Sequence, residues 1–266
     1  FGKKFDVTDT GHYLVVHPKG QRDVWASRFE ELYRNFMHYF RTRRIHPSEP
    51  QFPLVAVVFH RRDDFLRYAV SDGLNAKSYL GYYSPSTNRI LLYDTTVGRQ
   101  EADWTTNAAT IIHEATHQTA NNTQIHSRFG STPRWVAEGL ATMFEARGVW
   151  NPRRYRQRSD RINRGRLQSF RRHLKTHTSA RLVQLVANDR MFYSQQNIAY
   201  TEAWALTFFL AELEPRKYGS FLQKTASRQP FAGYSSAQRQ KDFTDIFGKD
   251  LAMLDARLQR FIREQK

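Results

Sequence analysis

The sequence predicts an α+β fold in which a small mixed sheet is followed by a mainly helical C-terminal part. The segments with the character of strands lie within the first hundred residues. Beyond residue 148, apolar side chains recur at the three- and four-residue spacing of amphipathic helices. A chain of 266 residues can bury a substantial core, either as one large domain or as two lobes.

Four segments of the N-terminal part have the composition of β-strands. Residues 12–17 form the first of them. The continuous apolar run at Leu54–Phe59 suits a central strand, because both faces of such a strand are buried. Gly81–Ser84 and Arg89–Tyr93 are expected to pair, since residues 85–88 between them have the composition of a turn.

Helices are predicted between and after these strands. Apolar side chains lie at helical spacing in residues 22–43, 63–70, 103–121 and 132–146. The segments with this periodicity after Gly148 are 160–175, 180–187, 197–213, 216–227 and 250–264.

The Asn151-Pro152 junction is the expected boundary between two lobes. It would separate an α+β lobe at residues 1–150 from a helical lobe at residues 151–266. We expect the two lobes to form one catalytic unit.

The pentapeptide His113-Glu114-Ala115-Thr116-His117 is the strongest functional signal in the chain. On a helix, residues four positions apart share one face, so both imidazoles can reach the same metal ion. Glu114 lies on an adjoining face and can flank the metal without binding it. Two ligands and a general base in this arrangement are typical of a zinc hydrolase.

A catalytic zinc site needs a third protein ligand, and Glu138 is the candidate. Its helix is expected to begin with Thr132 as the N-cap and Pro133 as the first helical residue. An antiparallel arrangement with the motif helix would bring Glu138 over the two imidazoles. The alternative is an ordinary amphipathic helix with a solvated glutamate. The two histidines would then be core residues whose ring nitrogens have hydrogen-bond partners there.

The residues around these motifs resemble a known clan of enzymes. HEATHQ followed by PRWVAEGLATMFE is similar to the gluzincin pattern of HExxH metallopeptidases. With the runs FPLVAVVF, GYYSPSTNRI and YTEAWAL, it also resembles DUF1570, a bacterial family of uncharacterised proteins. The resemblance covers residues 50–215 and implies a zincin-like fold.

The resemblance also implies an activity. His113, His117 and Glu138 would bind Zn²⁺, and Glu114 would be the catalytic base of a metallopeptidase. The Gly-x-Met-Glu-Asn element of one aminopeptidase branch is absent from the sequence. We therefore expect an endopeptidase that acts on a peptide or protein substrate.

Tyr200 is the first candidate for a donor to the transition-state oxyanion. Several gluzincins carry a tyrosine in a corresponding place after the third ligand. Tyr193 is the second candidate, and His126 and His173 stay open. The alternative for Tyr200 is a buried aromatic residue whose hydroxyl is satisfied within the core.

A metal-binding imidazole usually donates its other N–H to an oxygen. Several gluzincins place an acid for this purpose four residues after the third ligand, but Thr142 occupies that position here. Glu145, Asn121 and Asp103 are possible substitutes. Each could equally be an ordinary surface or capping residue of a helix.

Enzymes of the clan also pair an extended substrate with an edge strand just before the motif helix. Arg89–Tyr93 is the candidate for this strand. An unpaired edge offers backbone hydrogen bonds to a peptide of any sequence. The alternative is an internal strand of the sheet.

The formal net charge is +16, and the positive excess is concentrated between residues 153 and 181. Such an Arg-rich stretch is either a solvated face or a binding surface for an anionic polymer or surface. No specific nucleic-acid motif accompanies it. The basic residues of this stretch are Arg153, Arg154, Arg156, Arg158, Arg161, Arg164, Arg166, Arg171, Arg172, Lys175 and Arg181.

The absence of cysteine excludes thiol catalysis, disulfides and Cys-type zinc sites. No apolar run approaches the ~18 residues of a transmembrane segment. The sequence begins with Phe1, which fits either a mature chain or a trimmed one. We expect an exported bacterial protein of the periplasm, envelope or extracellular space.

Two other functions stay open. The first is a non-catalytic protein that binds anionic partners and holds a structural zinc. The second is a degenerate zincin fold that acts as an interaction module.

Overall fold

The computed structural model describes residues 2–97 and 104–266, with side chains described outside 104–106. The chain divides into two compact units, one formed by Phe1–His38 and Ser48–Thr123 and the other by Tyr39–Pro47 and Gln124–Lys266. The first unit contains the sheet and the second is helical. This confirms the predicted α+β class, with a small mixed sheet in the N-terminal part and a mostly helical C-terminal part.

A five-stranded sheet organises the first unit. Its strands have the order β1-β2-β3-β5-β4, with β2, β3 and β5 parallel to one another and the two outer strands antiparallel to their neighbours. Ala56 of the central strand lies in register with Val15 on one side and Ile90 on the other. The strands are β1 (Phe5–Asp9), β2 (Tyr13–Pro18), β3 (Leu54–Phe59), β4 (Gly81–Ser84) and β5 (Arg89–Tyr93).

The strand at Arg89–Tyr93 is internal, which corrects its interpretation as the edge strand. It pairs with β3 on one side and with β4 on the other. The edge on this side of the sheet is therefore Gly81–Ser84. The hairpin turn folds β4 outwards, because the parallel pairing with β3 already occupies the inner side of β5.

Three helices accompany these strands along the chain, namely α1 (Arg22–Arg41), α2 (Arg62–Ser71) and α3 (Trp104–Asn122). The apolar side of α2 packs on the sheet, where Phe65 and Ala69 are fully buried against Val57 and Leu91. This burial contributes to the hydrophobic stabilisation of the first unit.

The second unit is built around α9, whose middle and C-terminal turns are buried on nearly all sides. Helix α4 packs closely along α9. Residues 151–152 were predicted as a lobe boundary, and they lie within the range Gln124–Lys266 of this unit. The helices are α4 (Arg134–Phe144), α5 (Arg147–Trp150), α6 (Arg164–His173), α7 (Ser179–Ala187), α8 (Met191–Ser194), α9 (Gln196–Leu213), α10 (Pro215–Ala226), α11 (Ser236–Phe247) and α12 (Leu251–Glu264).

Within the described ranges, no helix combines the length and apolar character that crossing a bilayer requires.

Candidate metal centre

Helix α3 carries the HEATH motif and is fastened to the sheet by two buried amides. The Gln118 side chain donates to the backbone carbonyls of Val55, at 3.0 Å, and Asn88, at 2.8 Å. Near the other end of the helix, the Asn107 side chain accepts from the Thr95 backbone N–H at 3.0 Å and donates to Asp94 at 2.9 Å. Buried hydrogen bonds at both ends fix the rotation of α3, and with it the direction of the motif side chains.

The two motif histidines converge as their spacing predicts. The Nε2 atoms of His113 and His117 are 3.2 Å apart, and the rings are inclined at 79°. Two nitrogens bound to one tetrahedral zinc ion at ~2.0–2.1 Å would lie ~3.3 Å apart. The observed separation therefore fits two ligands of one zinc ion.

Glu138 completes a group of three possible ligands. One ligand atom from each of His113, His117 and Glu138 lies within 4.8 Å of the others, and all three residues are partly buried. Two imidazole nitrogens and one carboxylate oxygen are the donor set of many catalytic zinc sites. The residues thus fit the metal that the motif implies.

The first turn of α4 is capped differently from the prediction. Pro133 is the N-cap residue, the helix begins at Arg134, and Thr132 does not cap it. The backbone N–H of Arg134 instead donates to the Asp189 carboxylate at 3.0 Å. Arg239 in turn holds Asp189 by two hydrogen bonds of 2.8 and 3.0 Å, so this cap comes from residues distant in sequence.

Close packing between α4 and α9 fixes the helix that bears Glu138. A Cβ atom at Gly139 would lie only 2.6 Å from the Ala203 carbonyl oxygen and would also collide with Thr207. Glycine is therefore required here for close approach of the two backbones. The neighbouring Glu138 side chain takes its position from this contact.

Arg134 and Tyr200 surround Glu138 in the second unit. The Nε atom of Arg134 is 3.6 Å from a carboxylate oxygen of Glu138. The charges of both side chains act on the Tyr200 hydroxyl. Burial and then the charge of Glu138 raise the pKa of Tyr200 to about 12, so the phenol is neutral at ordinary pH. Burial alone would lower the pKa of Arg134, but Glu138 and Tyr200 raise it on balance.

Arg134 was not among the predicted site residues. Its four-residue spacing from Glu138 was visible in the sequence and is typical of an ion pair on a helix. The contact with Tyr200 was not visible, because it depends on the packing of α4 against α9.

Glu114 is held by the edge strand. Its Oε2 atom accepts a hydrogen bond from the Tyr83 backbone N–H at 2.7 Å. Gly81 permits the close approach of β4 to α3, since a Cβ atom there would lie 2.9 Å from Thr110. No sequence pattern could indicate this contact, because any residue except proline supplies a backbone N–H.

The other oxyanion candidates lie in different environments. Tyr193 is 79% exposed on α8, and its ring faces the guanidinium of Arg134 at 5.3 Å. His126 is buried in the segment before α4, and His173 is the last residue of α6. Tyr200 is the candidate whose hydroxyl contacts Glu138.

The proposed substitutes for the orienting acid have partners of their own. Glu145 accepts a hydrogen bond of 2.9 Å from Asn163, whose side chain also caps α6. The Asn121 side chain donates to the His117 backbone carbonyl, not to its ring. Thr142 is fully buried, and Asp103 lies outside the described residues.

The Arg-rich stretch separates into structural and exposed cations. Arg161 is half-buried and paired with Glu212 at 3.0 Å. Arg171 hydrogen-bonds to the backbone at the end of α12 but is itself exposed. Most cations of the stretch are exposed. The exposed ones are Arg153, Arg154, Arg156, Arg158, Arg164, Arg171, Arg172 and Lys175.

A protein-family model matches the part of the chain that carries the candidate site. No curated protein matches the chain. A protein-family model described as "Protein of unknown function (DUF1570)" matches residues 107–232, which include the HEATH motif, Glu138 and Tyr200. This match covers a little under half of the chain, and it shows that this part of the chain is similar to the DUF1570 family.

Proposed function

We propose that this protein is a zinc-dependent metallopeptidase of the gluzincin type, with a zincin-like fold and endopeptidase activity. The observation that carries the proposal is the convergence of ligand atoms from His113, His117 and Glu138 within 4.8 Å, beside the carboxylate of Glu114. A structural zinc site would be closed by a fourth protein ligand. The described residues offer three ligands in this group, which favours an open, catalytic site.

The zinc ion, when bound, would supply Lewis acidity that polarises the substrate carbonyl and makes water more acidic. His113, His117 and Glu138 would hold it. Glu114 would accept the proton of the attacking water at a carboxylate oxygen and later deliver it to the leaving amine. The hydrogen bond from the Tyr83 N–H restrains the orientation of this carboxylate.

Tyr200 would donate its hydroxyl proton in a hydrogen bond to the developing oxyanion. The phenol suits this role because its raised pKa keeps the proton on the oxygen. Arg134 would position Tyr200, since its charge acts on that hydroxyl and its Nε atom lies 3.6 Å from Glu138.

The Glu114→Gln variant tests the proposal most directly. The amide has nearly the same shape but cannot accept a proton. We expect one zinc ion per chain in both proteins and a loss of ~10²-fold or more in cleavage of an unbiased peptide library by the variant. A chelator should abolish cleavage by the unaltered protein, and added zinc should restore it.

A second variant separates chemistry from metal binding. In Tyr200→Phe, zinc content should stay at one ion per chain while kcat falls ~10- to 10³-fold with little change in KM. Tight zinc binding without cleavage of any library member would instead favour the alternative, a non-catalytic or degenerate zincin-fold protein. Unchanged cleavage by Glu114→Gln would exclude Glu114 as the base.

We also propose that the exposed cations of the Arg-rich stretch bind an anionic polymer, and that the protein is exported. The exposure of eight cations between residues 153 and 175 supports the first proposal. Detection of the protein in a periplasmic or culture fraction would test the second.

A further inference from the structure

A basic cavity of about 480 Å³ lies in the second unit, where the turn after α1 meets the N-terminal half of α10. Its lining includes Arg43, Arg44, His46 and Arg216, and none of its described lining residues is acidic. The floor is apolar and well packed, with Ile125 and Leu222 buried. A concave site with several cations and no carboxylate is suited to an anion.

The charge available to a ligand can be counted from the ion pairs. Arg43 is already paired, since its Nη2 atom donates to Glu212 at 3.1 Å and its guanidinium stacks on Tyr39. Arg44 and Arg216 form no ion pair within the ranges that the structure describes. Two exposed guanidinium groups are therefore available to a ligand at this cavity.

The backbone around the cavity is held in an unusual conformation. Arg44 has φ +60° and Gln124 has φ +63°, and both residues line the cavity. The left-handed region costs a residue with a side chain roughly 1 kcal/mol or more, and such strain concentrates at binding sites. Glycine would avoid this cost, yet an arginine occupies the first position.

The cavity wall is also closely packed. A Cβ atom at Gly219 would lie 2.8 Å from the Ile45 side chain, so α10 and the turn at residues 43–46 are in direct contact. This contact holds Arg44 and Arg216 on a preformed scaffold, which lowers the entropic cost of binding.

We propose that this cavity binds a phosphoryl dianion. A phosphate monoester carries a charge of roughly −1.5 to −2 at pH 7, which matches the two unpaired guanidinium groups. Guanidinium forks also fit phosphate oxygens in bidentate geometry. A single carboxylate would leave one of the two cations without a counter-charge. The phosphoryl group could be free phosphate or the end group of a larger molecule.

Isothermal titration calorimetry of the full chain with inorganic phosphate and with glucose 6-phosphate tests this proposal, with glucose as the uncharged control. We expect saturable binding of one phosphoryl ligand per chain, with and without added zinc, and no binding of glucose. Tighter binding of the sugar phosphate would indicate the end group of a larger molecule, and equal or weaker binding would indicate free phosphate.

Three variants locate the site. Arg44→Gly removes a cation but relieves the left-handed strain, so its folding should not suffer. Arg216→Gln alters an exposed side chain. Each should weaken binding about tenfold or more, whereas Arg154→Gln, with the same loss of charge outside the cavity, should not. No saturable binding to the unaltered chain, or equal weakening by all three variants, would overturn the proposal.

Discussion

His177 shows how much a single residue can contribute when its surroundings are charged. Its ring is buried, with Nδ1 2.9 Å from Glu202 and Nε2 2.8 Å from Asp255. Arg181 lies 3.8 Å from Glu202, and Gln259 donates a hydrogen bond to Asp255. Within the described contacts, these are the further polar partners of the two carboxylates. A protonated imidazole thus bridges two carboxylates from α9 and α12, and it belongs to neither the metal centre nor the basic cavity.

The bridge should make the stability of the protein depend on pH. Burial alone would lower the pKa of His177, but its bonds to Asp255 and Glu202 raise it to about 9, above its value near 6.5 in the unfolded chain. The stabilisation is therefore full below pH ~6.5 and is lost as pH rises through 9, and it amounts to roughly 3 kcal/mol.

Urea denaturation at pH 6.5 and pH 10 measures this dependence in the unaltered protein and in His177→Gln. The unaltered protein should lose more unfolding free energy between the two pH values than the variant does, by roughly 3 kcal/mol. An identical loss in both proteins would show that another group causes the pH dependence.

At the scale of secondary-structure elements, local patterns predicted what depends on local sequence. The bounds of β3 and its central place in the sheet were predicted correctly from its apolar run. A strand that is buried on both faces consists of consecutive apolar residues, which the sequence shows directly. The first strand, Phe5–Asp9, was missed because most of its side chains face solvent. The bounds of β4 and β5 were predicted, but which of them forms the edge was not, since this depends on pairing with β3.

The same distinction applies to the candidate site. The spacing of His113 and His117 is a property of one helix and could be predicted from five residues. The Asp189 cap, the Arg134–Tyr200 contact and the Tyr83 N–H on Glu114 join residues far apart in sequence. Only the packing of whole elements reveals such contacts.

The contact between α4 and α9 gives a prediction at this scale. Gly139→Ala would force the helices apart, because its new methyl group meets the Ala203 carbonyl and Thr207. We expect a loss of ~1–3 kcal/mol in unfolding free energy, together with weaker zinc binding, since Glu138 is the next residue.

Gly165→Ala is the matched control for this substitution. A Cβ atom at Gly165 would have its nearest neighbour, the Asn163 side chain, at 3.7 Å, and the residue lies in the exposed first turn of α6. Alanine is the better helix former, so the control should be neutral or stabilising by up to ~1 kcal/mol. Equal effects of the two substitutions in urea denaturation would refute the role assigned to close packing.

The charge of the whole molecule bears on its partners. A net charge of +16 favours any polyanion through long-range attraction, whatever the arrangement of the cations. A specific binding surface adds a local contribution to the affinity for a polyanion. This contribution can be distinguished from the effect of net charge by removing the same number of charges inside and outside the surface. Arg153, Arg154 and Arg164 are exposed within the Arg-rich stretch, whereas Lys19, Lys77 and Lys249 are exposed outside it.

We therefore expect a triple substitution to Gln within the stretch to lower the salt concentration that elutes the protein from a sulfated-polymer resin such as heparin. The triple substitution to Gln of the three lysines should lower it less, although both variants lose three charges. Salt weakens the binding by screening the charges and by opposing the release of counterions from the polymer. Fewer counterions are released when fewer cations contact the polymer. If both variants elute together, net charge alone accounts for retention, and the stretch is a solvated face of the protein.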